Sequence, residues 1–361
     1  MDLKSASPML NILQTRIGIV FSIFVPAVFL LIWMTGYNHA TDRIDQLRVG
    51  LVGVDAAGAE DRIASVIDSM PFQVIPQAEL SAALDDMNEG GMDMVIALPS
   101  GLAEQAQSGS GARLTYYVND RSSEVVKSVM EGMAARLTTG LNGVIVPDAK
   151  PMPIQGEVVK TNPISNFATS MLPMILGFIP YIASMTANIQ FNISSMRLIR
   201  EYSQWDIFLS RQFILAGIAI VVPLLMSAAT KLFLAAEASF WQLWGFEALV
   251  FAASLTVTQF AFAYFGNAAP LFNVLLIPVQ LMTAGNIISA SMLSPFYREL
   301  GSFLPVPNGV DGAMRLVYGG GSLSGSAMGL VWITVVALGL SIIRIAWSER
   351  GKATVPVKAA A

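Results

Sequence analysis

Apolar residues in this chain fall in long runs separated by polar stretches. A helix needs about 20 mostly apolar residues to cross a bilayer core. Six segments meet that requirement: Ile17–Gly36, Phe167–Phe191, Gln212–Thr230, Trp244–Phe265, Pro270–Ser291 and Gly325–Ile343. The first is uncharged throughout and flanked by Lys4 and Arg16. It is longer than a secretory signal core, and no small-x-small cleavage site precedes His39, so it reads as an uncleaved anchor. Prolines at 26, 173, 180, 223 and 278 fall inside these runs and predict kinks, tolerated where neighbours satisfy the freed backbone.

Between the first two spans the pattern changes to short strands alternating with helices. Leu47–Val54, Phe72–Ile75, Asp93–Leu98 and Arg113–Val118 have strand patterns. Helices are predicted at Ala59–Ser69, at Gln77–Glu89 with Gly90-Gly91 as its stop, and at Ser122–Leu141 with Val125, Val129, Met133 and Leu137 on one face. Such alternation predicts a small α/β domain. Pro147–Pro163, with its four prolines, reads as a stiff connector back to the membrane. The organisation is therefore a 1–36 N-terminus and first span, a 37–166 α/β domain, a 167–347 five-helix block and a 348–361 tail.

Composition sharpens this division. Over the 361 residues, 54% are apolar and 13% charged, with mean hydropathy +0.59. Soluble domains carry roughly a quarter charged residues, which excludes an ordinary cytosolic enzyme. Residues 37–166 hold 9 Lys and Arg against 17 Asp and Glu, whereas the remainder holds 12 against 8. There is no basic stripe of a nucleic-acid binder. Positive side chains set orientation. Lys4, Arg16, Arg197, Arg200, Arg211, Arg344, Arg350, Lys352 and Lys358 fall on one side of the six spans. Only Lys231, Arg298 and Arg315 fall in the opposite short loops. Both termini are expected in the cytoplasm and the acidic domain outside.

Chemistry is sparse. There is no cysteine, a single histidine, and no phosphate-cradling G-x-x-x-x-G-K-[ST] loop, so any energy source must lie on another chain or in an ion gradient. The spans hold almost no charge, which gives little support to a proton relay. They do hold amides, at Asn188, Gln190, Gln259, Asn267, Asn273, Gln280 and Asn286. Each must face protein or water, so helix–helix bonding and substrate contact both fit. Asn188, Gln259, Gln280 and Asn286 are the candidates for a translocation path.

Two further segments are amphipathic. Met196–Arg211 is too charged to span, yet Leu198, Ile199, Tyr202, Trp205, Phe208 and Leu209 share one helical side. A helix over 196–209 on the membrane surface is predicted, as a headgroup anchor or as a lever docking into a partner. Residues 291–321 carry Pro295, Pro305 and Pro307 among aromatics and end in Gly319-Gly-Gly321. They predict a pair of short helices dipping back into the outer leaflet.

This arrangement resembles the type-2 ABC transporter permeases, and most of all their phage-infection-protein-like branch. The residues carrying the resemblance are PISNFATSMLPMILGFIP from Pro163, SPFYRELGSFLPVPNGVDGAMRLVYG within Gly285–Gly319, and MDMVIALPSGLAEQ and LTYYVND in the α/β domain. The resemblance implies a polytopic α-helical membrane protein of six spans with an inserted external α/β domain. It implies no enzyme on this chain, which would pair with a second copy or paralogue and bind an ABC-type ATPase carrying ATP and Mg²⁺. The assembly would export a lipid, glycan, drug or peptide from a bacterial inner membrane. Membrane lipids and a periplasmic protein are further expected partners. Coupling to the ATPase would fall to Arg197, Arg200, Glu201, Tyr202, Trp205 and Asp206, although Glu201 lacks the family's following x-x-Gly. Pro295, Tyr297, Pro305 and Arg315 would mark the outer re-entrant segment. Some members of the branch resemble non-transporting scaffolds instead, such as phage-adsorption receptors or secretion-system subunits.

Overall fold

The computed structural model describes residues 40–53, 65–67, 69–109, 111–147, 152–162, 167–233 and 236–353, together with Ile32, Thr35 and Gly36. Most of the predicted first span, most of the Ala59–Ser69 helix and the end of the C-terminal tail lie outside the described residues.

The α/β domain is built on strands β1 (Arg48–Val52), β2 (Gln73–Gln77), β3 (Met94–Ala97), β4 (Ala112–Asn119) and β5 (Ile154–Thr161). The sheet order is β2-β1-β3-β4-β5. All neighbours are parallel except β3 and β4, which pair antiparallel with Ile96 opposite Tyr116. Helices α1 (Leu80–Glu89), α2 (Leu102–Gln107) and α3 (Glu124–Ile145) cover it. Successive strand side chains point to opposite faces. Met94 and Ile96 accordingly join Leu114, Tyr116, Met130 and Leu137 in one core, while Val95 joins Ala83, Met87 and Met92 under α1.

β5 corrects the expectation of a stiff connector over 147–163. Its prolines flank Ile154–Thr161 without entering it, and Val158, Val159 and Thr161 suit a strand. It lies at one sheet edge. Pro76 sits in β2 at the other edge, where a missing N–H is tolerated.

The rest of the chain is helical: α4 (Phe167–Leu198), α5 (Gln204–Phe233), α6 (Phe240–Phe265), α7 (Ala269–Thr283), α8 (Pro295–Ser302), α9 (Pro305–Tyr318) and α10 (Ser324–Ala353). Among the described residues, Thr169–Leu198, Gln204–Leu232, Phe240–Thr283 and Ser324–Glu349 are helical stretches long and apolar enough to cross a membrane. The third is bent at a 3₁₀ turn, Gly266–Ala268. There α7 folds back on α6: Asn273 Nδ2 donates to Thr258 O at 3.3 Å, and Phe272 stacks on Phe265. The sequence pattern carries this span to Ser291, but α7 stops at Thr283, close to Gly285 in the left-handed region at φ 78°. Its 15 residues reach about 22 Å, short of a full hydrocarbon core.

α6 is the hub of the block, with Leu243, Phe246, Val250 and Ala253 buried against α4, α9 and α10. α4 and α9 cross where Gly177 meets Gly309; a Cβ on Gly177 would come within 2.7 Å of Val310 N. Tyr318 Oη ties α9 to the start of α4 through Thr169 O and Ser170 O.

Candidate functional site

Three places concentrate polar groups in or beside this apolar body. The first is the α4–α5 junction, at the end remote from the α/β domain. The pattern predicts one surface helix over 196–209. The structure instead divides the segment into the end of α4, a turn over 199–203 and the first turns of α5. Ser203 makes the break: its Oγ accepts Asp206 N–H at 3.1 Å and donates to Asp206 Oδ2 at 2.7 Å, capping α5. Arg197, Arg200, Glu201, Tyr202, Trp205 and Asp206 are all exposed around this turn. Phe208, by contrast, is buried with Trp205 packed edge-on against it. Gln204 N donates to Glu349 Oε1, which fixes the turn against the end of α10. A cavity of about 250 Å³ opens beside it, lined by Ile199, Phe208, Arg211, Gln259 and Arg344 among others.

The second place is the interior. Asn188 is fully buried: its Nδ2 donates to Leu255 O and to Thr258 Oγ1, and its Oδ1 accepts from Arg211 Nη2 at 2.5 Å. Gln280, also fully buried, accepts Val306 N–H at 3.2 Å. Both amides join helices, but Gln280 Nε2 is buried with no hydrogen-bond partner among the described residues. Gln259 has a buried Oε1 without a hydrogen-bond partner among the described residues and lines the remote cavity. Asn286 is half-buried and donates to Met174 Sδ. Glu247 is completely buried in α6, and neither carboxylate oxygen has a hydrogen-bond partner among the described residues.

The third place lies where the helices meet the α/β domain. Segment 291–321 forms a 3₁₀ turn, Ala290–Met292, followed by α8 and α9, whose first residues are Pro295 and Pro305. Proline suits this first position because its missing N–H would have no intrahelical partner. Tyr297 Oη lies 2.6 Å from Thr35 Oγ1, and Arg315 pairs with Asp311, which Ser326 also engages. Arg121 reaches from the α/β domain to Gly319 O and Gly320 O at 2.7 and 2.8 Å. Glu89 Oε2 accepts Ser322 N–H. A cavity of about 490 Å³ lies between the two bodies, with Asp93, Arg121, Arg298, Asp311 and Arg315 in its wall.

The sequence profile of the ABC-2 family transporter proteins matches residues 16–343. The chain belongs to the ABC-2 family. The match takes in both the α/β domain and the helical block, so this is a multi-pass helical membrane protein with a role of the permease type. ABC-2 permeases are generally not enzymes themselves and work with an ABC ATPase subunit. The chain is also 22% identical over 202 residues to the uncharacterized protein YhgE of Bacillus subtilis (strain 168). That likeness covers 55% of the chain but only 25% of the relative. No solved structure matches the chain.

The sequence pattern marks the polar segment 196–209 as one helix where the structure has a turn, and it marks 291–321 as a pair of short helices, which α8 and α9 are. It missed the interdomain cavity except for Arg315. Asp93, Arg121 and Arg298 come from distant segments, and no spacing along the chain connects them.

Proposed function

We propose that the chain is the membrane-spanning permease subunit of an exporter, driven by ATP hydrolysed on a separate ATPase. The observation that carries this reading is the exposed α4–α5 turn at the end remote from the α/β domain, set within a family match to nearly the whole chain. A helical body without a phosphate-binding loop needs a partner that binds its two states differently. The turn presents both charge signs and two aromatics to such a partner: Arg197, Arg200, Glu201, Tyr202, Trp205 and Asp206. In this reading the protein has six spans and cytoplasmic termini in a bacterial inner membrane. Its α/β domain faces outward, where a periplasmic protein has access to it, and two copies or paralogues pair. The cargo is a lipid, glycan, drug or peptide. Asn188, Gln259, Gln280 and Asn286 are the path amides; among them the buried Gln259 Oε1 and Gln280 Nε2 have no hydrogen-bond partner among the described residues.

The test is purification of the tagged chain in mild detergent, with mass spectrometry of what accompanies it. An ABC ATPase should copurify and be lost on Arg200→Glu or Trp205→Ala while the permease itself stays folded. Intact complexes without an ATPase, and indifferent to ATP and Mg²⁺, would replace export with a scaffolding role.

A further inference from the structure

We propose that the cavity between the α/β domain and α8–α9 binds a phosphate-type anion, held by Arg121, Arg298 and Arg315. The anion is either the phosphate of a lipid headgroup or free phosphate. The cavity's volume of about 490 Å³ falls in the roughly 300–1,000 Å³ range of small-molecule sites.

Its cations are only partly matched by the protein. Arg121 Nη1 is used on Gly319 O and Gly320 O, but its Nε is buried and has no hydrogen-bond acceptor among the described residues. Burial, and then the neighbouring Arg315 charge, lower the Arg121 pKa, while Asp311 and Glu89 oppose the shift. Arg315 leans on Asp311, which also engages Ser326. Arg298 is exposed at the rim, and its side chain has no hydrogen bond or ion pair among the described residues. The opposing carboxylates in the wall are Asp93 and Asp311, with Glu89 alongside on Ser322 N. Asp93 already accepts Arg48 N–H, and burial shifts its carboxyl upward, toward the neutral form.

Guanidinium groups suit this task because their planar donor forks match phosphate oxygens. A glycine loop keeps two of them close. Gly319, Gly320 and Gly321 all have φ between 74° and 79°, and a Cβ on Gly320 or Gly321 would press on Arg121 or Arg315. Phe296 in α8 and Phe303 just after it are exposed and suit a membrane surface, which would bring headgroups toward α8. The site does not depend on export: it needs only α8 at that surface.

The test uses the full chain in a neutral maltoside detergent and follows its unfolding temperature. Phosphatidylglycerol, diacylglycerol with the same acyl chains, and inorganic phosphate against chloride at matched ionic strength are added in turn. Phosphatidylglycerol, inorganic phosphate or both should raise the temperature, and diacylglycerol should not. Protection by phosphatidylglycerol alone identifies a headgroup as the source. Protection by inorganic phosphate alone identifies a soluble ion, and protection by both shows that the phosphate itself is read. Arg298→Gln with Arg315→Gln should weaken the apparent affinity by about tenfold. The single rim variant Arg298→Gln breaks no hydrogen bond or ion pair among the described residues and should weaken it less. Asp93→Asn should tighten it. The proposal is overturned if no phosphate-bearing compound protects, if diacylglycerol protects equally, or if the double variant retains the parent affinity.

Discussion

Asn142 joins α3 to β5 with one amide. Its Nδ2 donates to Thr138 O and Ile154 O, and its Oδ1 accepts Ile154 N–H at 3.0 Å. Asn142→Leu keeps the volume but takes partners from buried backbone groups. The expected loss is about 2–4 kcal/mol, checked by thermal unfolding of the purified protein. Asp93 behaves in the opposite sense. Burial outweighs its bond to Arg48 N–H and raises its pKa, so the folded state disfavours the charge. That penalty is absent below the unfolded carboxylate pKa, grows as pH rises through the folded value, and is complete above it. Asp93→Asn should therefore raise the unfolding temperature at pH 7, and the gain should vanish in acid. Neither role was legible in the sequence. Asp93 reads there as a polar residue opening a strand, because burial depends on α1 and the neighbouring strands, which only the tertiary fold assembles.

Local pattern is a better guide to whole elements, and its failures have identifiable causes. β5 was hidden by the prolines flanking it, whose local punctuation outweighed the β-branched run between them. The surface helix predicted at 196–209 fails because Ser203 and Asp206 form a capping pair. Apolar periodicity continues across that cap and so conceals it. Ser203→Ala should loosen the first turn of α5 by about 1 kcal/mol, visible as faster amide exchange at Asp206 and Ile207. The α4–α9 crossing gives a second expectation for an element. At Gly177 an added Cβ meets Val310 N at 2.7 Å and Gly309 C at 3.1 Å. Backbone cannot yield as a flexible side chain can. Gly177→Ala should therefore separate the helices at a cost of about 1–3 kcal/mol, measured as a lowered unfolding temperature. Gly217, whose Cβ would meet nothing within 4 Å, is the matched control and should tolerate the same change.

For the whole molecule, the decisive property is which end faces which solvent. Lys and Arg are distributed nine against three between the two sides of the six expected spans, and on that count the proposed orientation has the α4–α5 turn in the cytoplasm and the α/β domain outside. The fold makes the two ends separable: α4 leaves the α/β domain at Phe167, and the turn follows its far end at Leu198. Since the chain has no cysteine, a single introduced thiol reports its own position without background. Ser100 is exposed in the α/β domain and Tyr202 is exposed in the turn. Ser100→Cys should react with a membrane-impermeant maleimide on cells whose outer barrier has been opened but whose inner membrane is intact. Tyr202→Cys should react only after that membrane is permeabilised. The reverse pattern would put the turn beyond reach of any cytoplasmic ATPase, so the labelling tests orientation and coupling together. Labelling of both sites in intact cells would instead mean that one of these segments does not reside where its charges place it. The copurification result with Arg200→Glu would then have to be explained without direct docking.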